Sequence, residues 1–155
     1  MKSVLFMNSP IGVLTLVEEN GALKELRFAQ HAEPGERLEA TPLLIKAERE
    51  LTEYFGGKRR AFTVPMDPDG TPFQQAVWKV LKEIPYGETM TYGEVARRVG
   101  NPKASRAVGM ANHRNPLAIL YPCHRVIGAN HKLIGYGGGL SVKEFLLALE
   151  TNAAR

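Results

Sequence analysis

The sequence predicts an α/β protein of two small domains, the first built from strands and a helix and the second mainly from helices. A length of 155 residues allows one medium domain or two small ones. A turn-rich segment over 64–70, with two prolines and a glycine, separates a region of strand patterns from a region of recurring helix-start signals. The hydrophobic fraction of 44% is enough to bury a core and excludes a disordered chain.

The first domain, residues 1–66, is predicted to contain a hairpin followed by a helix. Apolar segments at 13–17 and 23–28 flank Asn20-Gly21, a pair that favours a tight hairpin turn because both residues tolerate positive φ. Residues 29–40 lack any periodicity and are predicted to form a loop. Thr41 and Pro42 are typical of a helix start, and Gly56-Gly57 of its end. The apolar side of this helix is predicted to be Leu44, Ala47, Leu51 and either Tyr54 or Phe55.

The second domain, residues 71–150, contains three capping-box signals, at Thr71–Gln74, Thr91–Glu94 and Ser141–Glu144. Another helix is predicted to start at Asn101-Pro102. Its inner face would be Ala104, Ala107, Val108 and Ala111, and its outer face Lys103, Arg106, Met110 and His113. The last helix would bury Val142, Phe145, Leu146 and Leu149. Two short helices joined by a glycine-containing turn favour a helix-turn-helix, with an ordinary helical hairpin as the alternative.

The charge distribution favours a polyanionic partner over a merely solvated surface. The formal net charge is +4, and basic residues concentrate around the predicted helix pair, at Arg97, Arg98, Lys103, Arg106, Arg114 and Arg125. No apolar run approaches the roughly 20 residues of a membrane-spanning helix. We therefore expect a cytoplasmic protein with no membrane partner.

Cys123 is the only cysteine, so the chain has no internal disulfide and no cysteine-rich zinc site. The four histidines have no metal-ligand spacing, and the glycine run 137–139 fits no nucleotide-binding pattern, so neither metal nor cofactor is expected. A neighbouring base or cation would lower the pKa of the thiol and make the thiolate available at neutral pH. The alternative is a small buried hydrophobe. Adjacent side chains of a strand point to opposite faces, so coupling Cys123 to His124 requires a turn or an intervening water.

Five motifs that follow one another in the chain favour a reactive Cys123 over a small buried hydrophobe. They are Arg106–Gly109, Asn115-Pro116, Pro122-Cys123-His124-Arg125-Val126, Gly135–Gly138 and Lys143–Glu150. In this set the chain resembles the O6-alkylguanine-DNA alkyltransferases, closely over 71–150 and more loosely in the N-terminal third. The resemblance implies a ribonuclease-H-like α/β domain followed by a winged helix-turn-helix domain. It also implies a monomer whose partner is double-stranded DNA containing O6-alkylguanine, bound through the minor groove.

The resemblance further implies a role for each matching residue. Cys123 would accept the alkyl group, chiefly methyl, once per molecule and without a cofactor. His124 would take the thiol proton through a water, and Glu150 would orient the imidazole. Asn115 would brace the turn before the cysteine segment. Tyr92 would press on the phosphate and assist the departing guanine.

DNA contacts are implied on the second helix of the pair. Arg106 would fill the gap left by the flipped nucleotide, on a helix surface that also presents Ser105, Ala107 and Met110 to the duplex. The base pocket would be formed by Tyr136, Gly137, Val126 and the backbone around Cys123; Gly137 stands where many members have serine. Three alternatives remain: a non-catalytic lesion sensor, an ordinary winged-helix DNA-binding module, and a Cys-His hydrolase or thiol oxidoreductase.

Overall fold

The computed structural model of the chain describes residues 1–129, 136 and 138–154. The chain divides into two compact units, Met1–Asp69 and Gly70–Arg155. None of the helices described is long and apolar enough to cross a membrane.

Unit 1 is a four-stranded sheet with one helix packed on it. The strands are β1 (Ser3–Met7), β2 (Leu14–Glu19), β3 (Ala22–Arg27) and β4 (Arg37–Leu38), and the helix is α1 (Pro42–Phe55). The sheet order is β3-β2-β1-β4, with β4 parallel to β1 and the other pairs antiparallel.

The predicted hairpin and helix of unit 1 are confirmed. Asn20 and Gly21 both have positive φ, 55° and 77°, as the tight turn between β2 and β3 requires. The Thr41 side chain accepts a hydrogen bond from the Leu44 amide and caps α1. Leu44, Ala47 and Leu51 are buried on its apolar side as predicted, and of the two alternatives it is Tyr54 that is buried, whereas Phe55 is half-buried. The loop predicted over 29–40 is wrong at one point, because Arg37 and Leu38 pair with β1.

In the part of unit 2 that the structure describes, there are four helices, a 3₁₀ turn and a pair of short parallel strands. The helices are α2 (Pro72–Lys82), α3 (Tyr92–Arg98), α4 (Ser105–His113) and α5 (Leu140–Ala154), and the 3₁₀ turn is Cys123–Arg125. Strand β5 (Met90–Thr91) pairs with β6 (Val126–Ile127), which directly follows the turn. Two of the three predicted capping boxes, at Thr71 and Thr91, are present.

Helix α4 differs from its prediction at its start and on one face. It begins at Ser105 rather than at Asn101-Pro102, and its N-cap residue Ala104 makes no side-chain hydrogen bond. Ala107 is exposed rather than inward, so the buried face consists of Val108, Ala111 and Asn112. The four residues predicted to face outward are all exposed.

Helix α5 buries a different face from the one predicted. It begins at Leu140, so Ser141 lies inside the helix instead of capping it. Phe145 is 38% exposed, whereas Lys143, Leu146 and Glu150 are buried. The prediction was wrong because it placed only apolar residues on the inner face. Lys143 and Glu150 also lie there, and both have buried hydrogen-bond partners.

Candidate active site

Cys123 lies at the start of the 3₁₀ turn, behind the buried apolar segment 117–120. The Tyr121 amide donates to the Leu117 carbonyl at 2.8 Å, and the Arg125 amide donates to the Pro122 carbonyl at 3.0 Å. Cys123 and His124 therefore lie in a turn and not in an extended strand. A turn is one of the two conditions stated above for coupling their side chains. Cys123 itself is only 5% exposed.

Glu150 is the centre of a buried charged group. Its carboxylate contacts His124 Nε2 at 2.6 Å, and Arg125 donates to it from Nε at 2.8 Å and from Nη2 at 3.0 Å. The Gly87 amide adds a longer hydrogen bond at 3.3 Å. Burial opposes ionisation of Glu150, but the hydrogen bonds from His124 and Arg125 outweigh it and lower its pKa to about 2. The carboxylate is thus ionised and fixes the imidazole.

His124 is poised as a base. Burial lowers its pKa against the opposing effect of Glu150, so the ring is neutral at pH 7. An ionised carboxylate accepts only, so Nε2 carries the ring proton and Nδ1 keeps its lone pair. Nδ1 is buried and has no hydrogen-bond partner among the described residues. The structure therefore leaves one basic nitrogen available.

The Cys123 thiol is neutral in this state, so the expectation of a thiolate populated at neutral pH is wrong. Burial raises the thiol pKa above its ordinary value. Hydrogen bonds from Asn115 and Tyr136 and the charge of Lys143 act in the opposite direction and are outweighed. Ionisation of this sulfur consequently needs a base.

Two basic residues of the site, Arg125 and Lys143, are buried and do not lie on the surface. Arg125 is 6% exposed and also donates from Nη1 to the Ile84 carbonyl at 2.7 Å. Its guanidinium donates to Glu150 and to this carbonyl in a buried position, so counting Arg125 among the basic residues that favour a polyanionic partner was wrong. Lys143 is fully buried and donates from Nζ to the Val126 carbonyl at 2.7 Å.

Asn115 ties the end of α4 to the cysteine segment. Its Nδ2 donates to the Tyr121 carbonyl at 2.7 Å, and its Oδ1 accepts from the Leu117 amide at 3.0 Å. Asn112, which sequence reasoning did not single out, lies one turn earlier and donates from Nδ2 to the Cys123 carbonyl at 3.3 Å. The two asparagines therefore hold the cysteine segment on both sides of Pro122.

Tyr92 opens α3 and is half-buried beside α4. Its ring lies near Gly109, where an added Cβ would meet the ring at 3.8 Å. Burial raises the pKa of Tyr92, the nearby Cys123 raises it further, and a hydrogen bond with the Asn112 side chain opposes both. Tyr92 and Cys123 are thus close enough to interact electrostatically.

The outer face of α4 contains the residues predicted to contact DNA. Arg106, Ala107 and Met110 are exposed, Met110 to 56%, and Ser105 is half-buried. Unit 2 contains eleven basic and five acidic residues, whereas unit 1 contains nine basic and eleven acidic ones. The positive charge therefore belongs to the unit that presents this helix.

The residues predicted for the base pocket are placed only in part. Val126 is buried in β6 and pairs with Met90. Tyr136 is buried, and its side chain acts to lower the pKa of the Cys123 thiol, against the larger effect of burial. Gly137 lies outside the described residues. The sequence also predicts a hairpin tip over 128–132, of which residues 130–132 lie outside the described residues. Within the described residues no group of three or more His, Cys, Asp or Glu side chains could hold a metal ion.

Three residues of the site escaped sequence reasoning: Arg125 as a partner of Glu150, Lys143 and Asn112. The burial of Lys143 had a signal in the sequence. Lys143 and Glu150 are seven residues apart, so on a helix they share one face with Leu146. None existed for Arg125, whose proximity to Glu150 depends on the long-range packing of α5 against the 3₁₀ turn.

Comparisons with known proteins follow the division into two units. Residues 72–152 match the family model described as 6-O-methylguanine DNA methyltransferase, DNA binding domain, and residues 4–68 match the ribonuclease-like domain of the same family. The methylated-DNA–protein-cysteine methyltransferase of Methanosarcina acetivorans is 53% identical over 92% of this chain and 94% of its own length. The protein of that name from Mycobacterium tuberculosis is 49% identical over 96% of this chain and 92% of its own.

Solved structures give the same result. The crystal structure of Mycobacterium tuberculosis O6-methylguanine methyltransferase has a TM-score of 0.91 and 47% identity, covering 100% of this chain and 96% of that one. The structure of Mycobacterium tuberculosis OGT in complex with DNA has a TM-score of 0.91 and 46% identity, covering 97% of this chain and 94% of that one. With both domains matched in order, this chain belongs to the 6-O-methylguanine DNA methyltransferase family.

Proposed function

We propose that this protein repairs DNA by direct reversal, transferring an alkyl group, chiefly methyl, from O6 of guanine in double-stranded DNA to Cys123. The observation that supports it most is the buried array in which Glu150 fixes a neutral His124 beside a neutral cysteine. The array suits a nucleophile that is ionised only when substrate is present. Membership of the family and the DNA complex of a relative point to the same reaction.

The transfer proceeds by in-line displacement. His124 Nδ1 takes the thiol proton, through a water, and the sulfur attacks the alkyl carbon. A bond forms between Sγ and carbon, the bond between carbon and O6 breaks, and the electron pair leaves with guanine. Tyr92 assists by donating a hydrogen bond to the departing base. The product is a thioether, which neither hydrolyses nor exchanges readily, and the chain has no second cysteine to release it. Each molecule therefore acts once.

Guanine O6 lies inside the stacked duplex, so the base must leave the helix before the sulfur can reach it. Extrusion costs a few kcal/mol. Arg106 occupies the vacated space, while Ser105, Ala107 and Met110 allow the helix to approach the minor groove closely. The excess of basic residues in unit 2 favours binding to phosphate.

The wing of a winged helix-turn-helix would follow β6, and the pocket would be closed by Tyr136, Gly137 and backbone groups around Val126. Asn115 acts as the brace of the turn before Cys123. We propose that the protein performs this reaction as a monomer.

The test is transfer of a labelled methyl group from a duplex containing one O6-methylguanine. The wild-type protein should take up label, and Cys123→Ala should take up none while binding unmodified duplex with unchanged affinity. Folded wild-type protein that binds the lesion without taking up label would be a sensor, and the proposal would be wrong.

The flipping role of Arg106 has its own test, which compares methyl transfer from duplex with transfer from the free alkylated base. Arg106→Ala should slow repair of the duplex far more than reaction with the free base, because only the duplex requires extrusion. Lys103→Ala, at an exposed residue just before the same helix, serves as the matched control for loss of one positive charge. Equal slowing of Arg106→Ala on both substrates would remove the flipping role.

A further inference from the structure

Arg125 is a buried cation that the proposed chemistry does not use. It directly follows His124 in the 3₁₀ turn, is 6% exposed, and donates hydrogen bonds from Nε, Nη1 and Nη2. Burying a guanidinium carries a large desolvation cost, and replacing a buried ion pair by apolar residues is often neutral or even stabilising. Stability alone therefore does not explain a charge at this position, whereas the contacts of the guanidinium with Glu150 do.

The guanidinium of Arg125 holds both oxygens of the Glu150 carboxylate. Nε donates to Oε1 at 2.8 Å, and Nη2 donates to Oε2 at 3.0 Å. Two N–H groups of one planar fork fix the plane and the direction of a carboxylate, which a single point charge does not. Oε2, the oxygen held by Nη2, is also the one that contacts His124 Nε2 at 2.6 Å. The fork therefore determines where the hydrogen-bond acceptor of His124 lies.

The segment that follows α2, residues 84–87, holds Arg125 independently of Glu150. The Ile84 carbonyl accepts from Nη1 at 2.7 Å, and the guanidinium carbon lies 5.6 Å from the centre of the Tyr86 ring, within cation–π range. The Gly87 amide of the same segment donates to Glu150 Oε1 at 3.3 Å. Arg125 is thus anchored to a second element, as a residue that positions another side chain has to be.

The direction of the carboxylate is passed on to the basic nitrogen of His124. Nε2 and Nδ1 belong to one rigid ring, so an acceptor fixed at Nε2 also fixes the direction in which Nδ1 points. Glu150 reaches the turn from α5 through a long, flexible side chain. Without the fork, either of its oxygens can face the ring, since the Gly87 amide is a single and longer donor.

We propose that Arg125 is a positioning residue that fixes the Glu150 carboxylate so that His124 presents Nδ1 toward the Cys123 thiol. The inference rests on the proposed function, in which His124 takes the thiol proton. Arg125 itself touches neither the sulfur nor the alkyl group and exchanges no proton. It acts through Glu150, and its effect on the reaction therefore exists only while His124 is there to be positioned.

The test is a double-mutant cycle between Arg125 and His124, measured as the single-turnover rate of methyl transfer from saturating methylated duplex. Arg125→Lys keeps the charge and removes the fork, and should lower the rate about 10- to 100-fold, as expected for a misplaced catalytic group. In the His124→Ala background the same substitution should change the rate less than about twofold, because no base remains to be positioned. Arg49→Lys, the same exchange at an exposed residue of α1, is the matched control. Equal losses in both backgrounds, or no loss in either, would overturn the proposal.

A second measurement separates positioning from structural damage. NMR of protein labelled with ¹⁵N-histidine should show the His124 ring of the wild type as one tautomer, with the proton on Nε2. In Arg125→Lys a second population with the proton on Nδ1 should appear, because the carboxylate no longer holds the ring in one direction. An unchanged His124 spectrum in Arg125→Lys would overturn the proposal. If Arg125→Lys does not melt cooperatively, Arg125→Gln, which keeps planar N–H donors, replaces it in both measurements.

The outcomes distinguish this inference from the function on which it rests. Folded wild-type protein that takes up no methyl would refute the proposed function, and this inference with it. An active wild type whose Arg125→Lys variant transfers methyl at an unchanged rate would refute this inference alone.

Discussion

Replacing Glu150 by glutamine tests the buried charged group, because the substitution keeps the shape of the side chain and removes only its charge. Arg125 is 6% exposed and has no other carboxylate partner among the described residues. Its guanidinium would be left with the Ile84 carbonyl and one amide oxygen. Removing one partner of a buried ion pair costs about 3–5 kcal/mol, so we expect Glu150→Gln to lower the free energy of unfolding by that amount.

The assay is urea denaturation at pH 7 with Glu144→Gln as the matched control. Glu144 is an exposed residue of the same helix, and its substitution should change stability by less than about 0.5 kcal/mol. The double variant Arg125→Met/Glu150→Gln should recover part of the loss, since it removes the unpaired charge. A Glu150→Gln variant no less stable than the control would refute the reasoning.

The same substitution should slow methyl transfer. An amide still accepts a hydrogen bond from His124 Nε2 but does not stabilise the positive charge that the ring gains when it takes the thiol proton. Because general-base catalysis contributes about 10²–10⁴-fold, we expect a loss of about 10- to 100-fold in the single-turnover rate. An unchanged rate would mean that the charge of Glu150 does not assist proton transfer to His124.

Three further predictions concern pH and packing. Because burial raises the pKa of Cys123, iodoacetamide should label the free protein faster with rising pH through and above 9; a plateau near neutrality would show a preformed thiolate. Glu150 has a folded pKa of about 2 against an ordinary value of 4.5, so its ionised form contributes about 3 kcal/mol to the stability of the folded protein. This contribution is complete above pH 4.5 and is lost as the pH falls toward 2. Glu150→Gln should abolish this part of the acid sensitivity. At Gly70 an added Cβ would lie 2.4 Å from the Trp78 ring, so Gly70→Ala should destabilise the protein by about 1–3 kcal/mol in thermal melts, and an unchanged melting temperature would contradict the packing.

The local elements of the fold were predictable because their signals are local. Asn20-Gly21 specifies its turn through backbone conformation alone, and Thr41, Thr71 and Thr91 cap helices through contacts three residues away. Strand β4 was not predictable. It is only two residues long, its residues are exposed, and it exists because β1 supplies hydrogen bonds from 34 residues earlier in the chain.

The candidate site, like the fold, has features that local sequence patterns predict and features that depend on long-range packing. The motif around Cys123 identified the residues, but the ionisation state of the sulfur depends on how completely the fold covers it, which no local pattern encodes. Arg125 was counted among the basic residues that favour a polyanionic partner, and Lys143 was left out of the predicted inner face of its helix. Both are buried because Glu150 and the Val126 carbonyl accept hydrogen bonds from them. Asn112 shows the same limit, since its partners come from α3 and from the 3₁₀ turn.

The most direct measurement is intact mass spectrometry of the protein after incubation with an excess of duplex containing O6-methylguanine. We predict that every molecule gains one methyl group in place of one hydrogen, that the peptide containing Cys123 holds it, and that no second methyl is added on longer incubation. Folded protein of unchanged mass, or a methyl group on any other residue, would contradict the assignment of Cys123 as the acceptor.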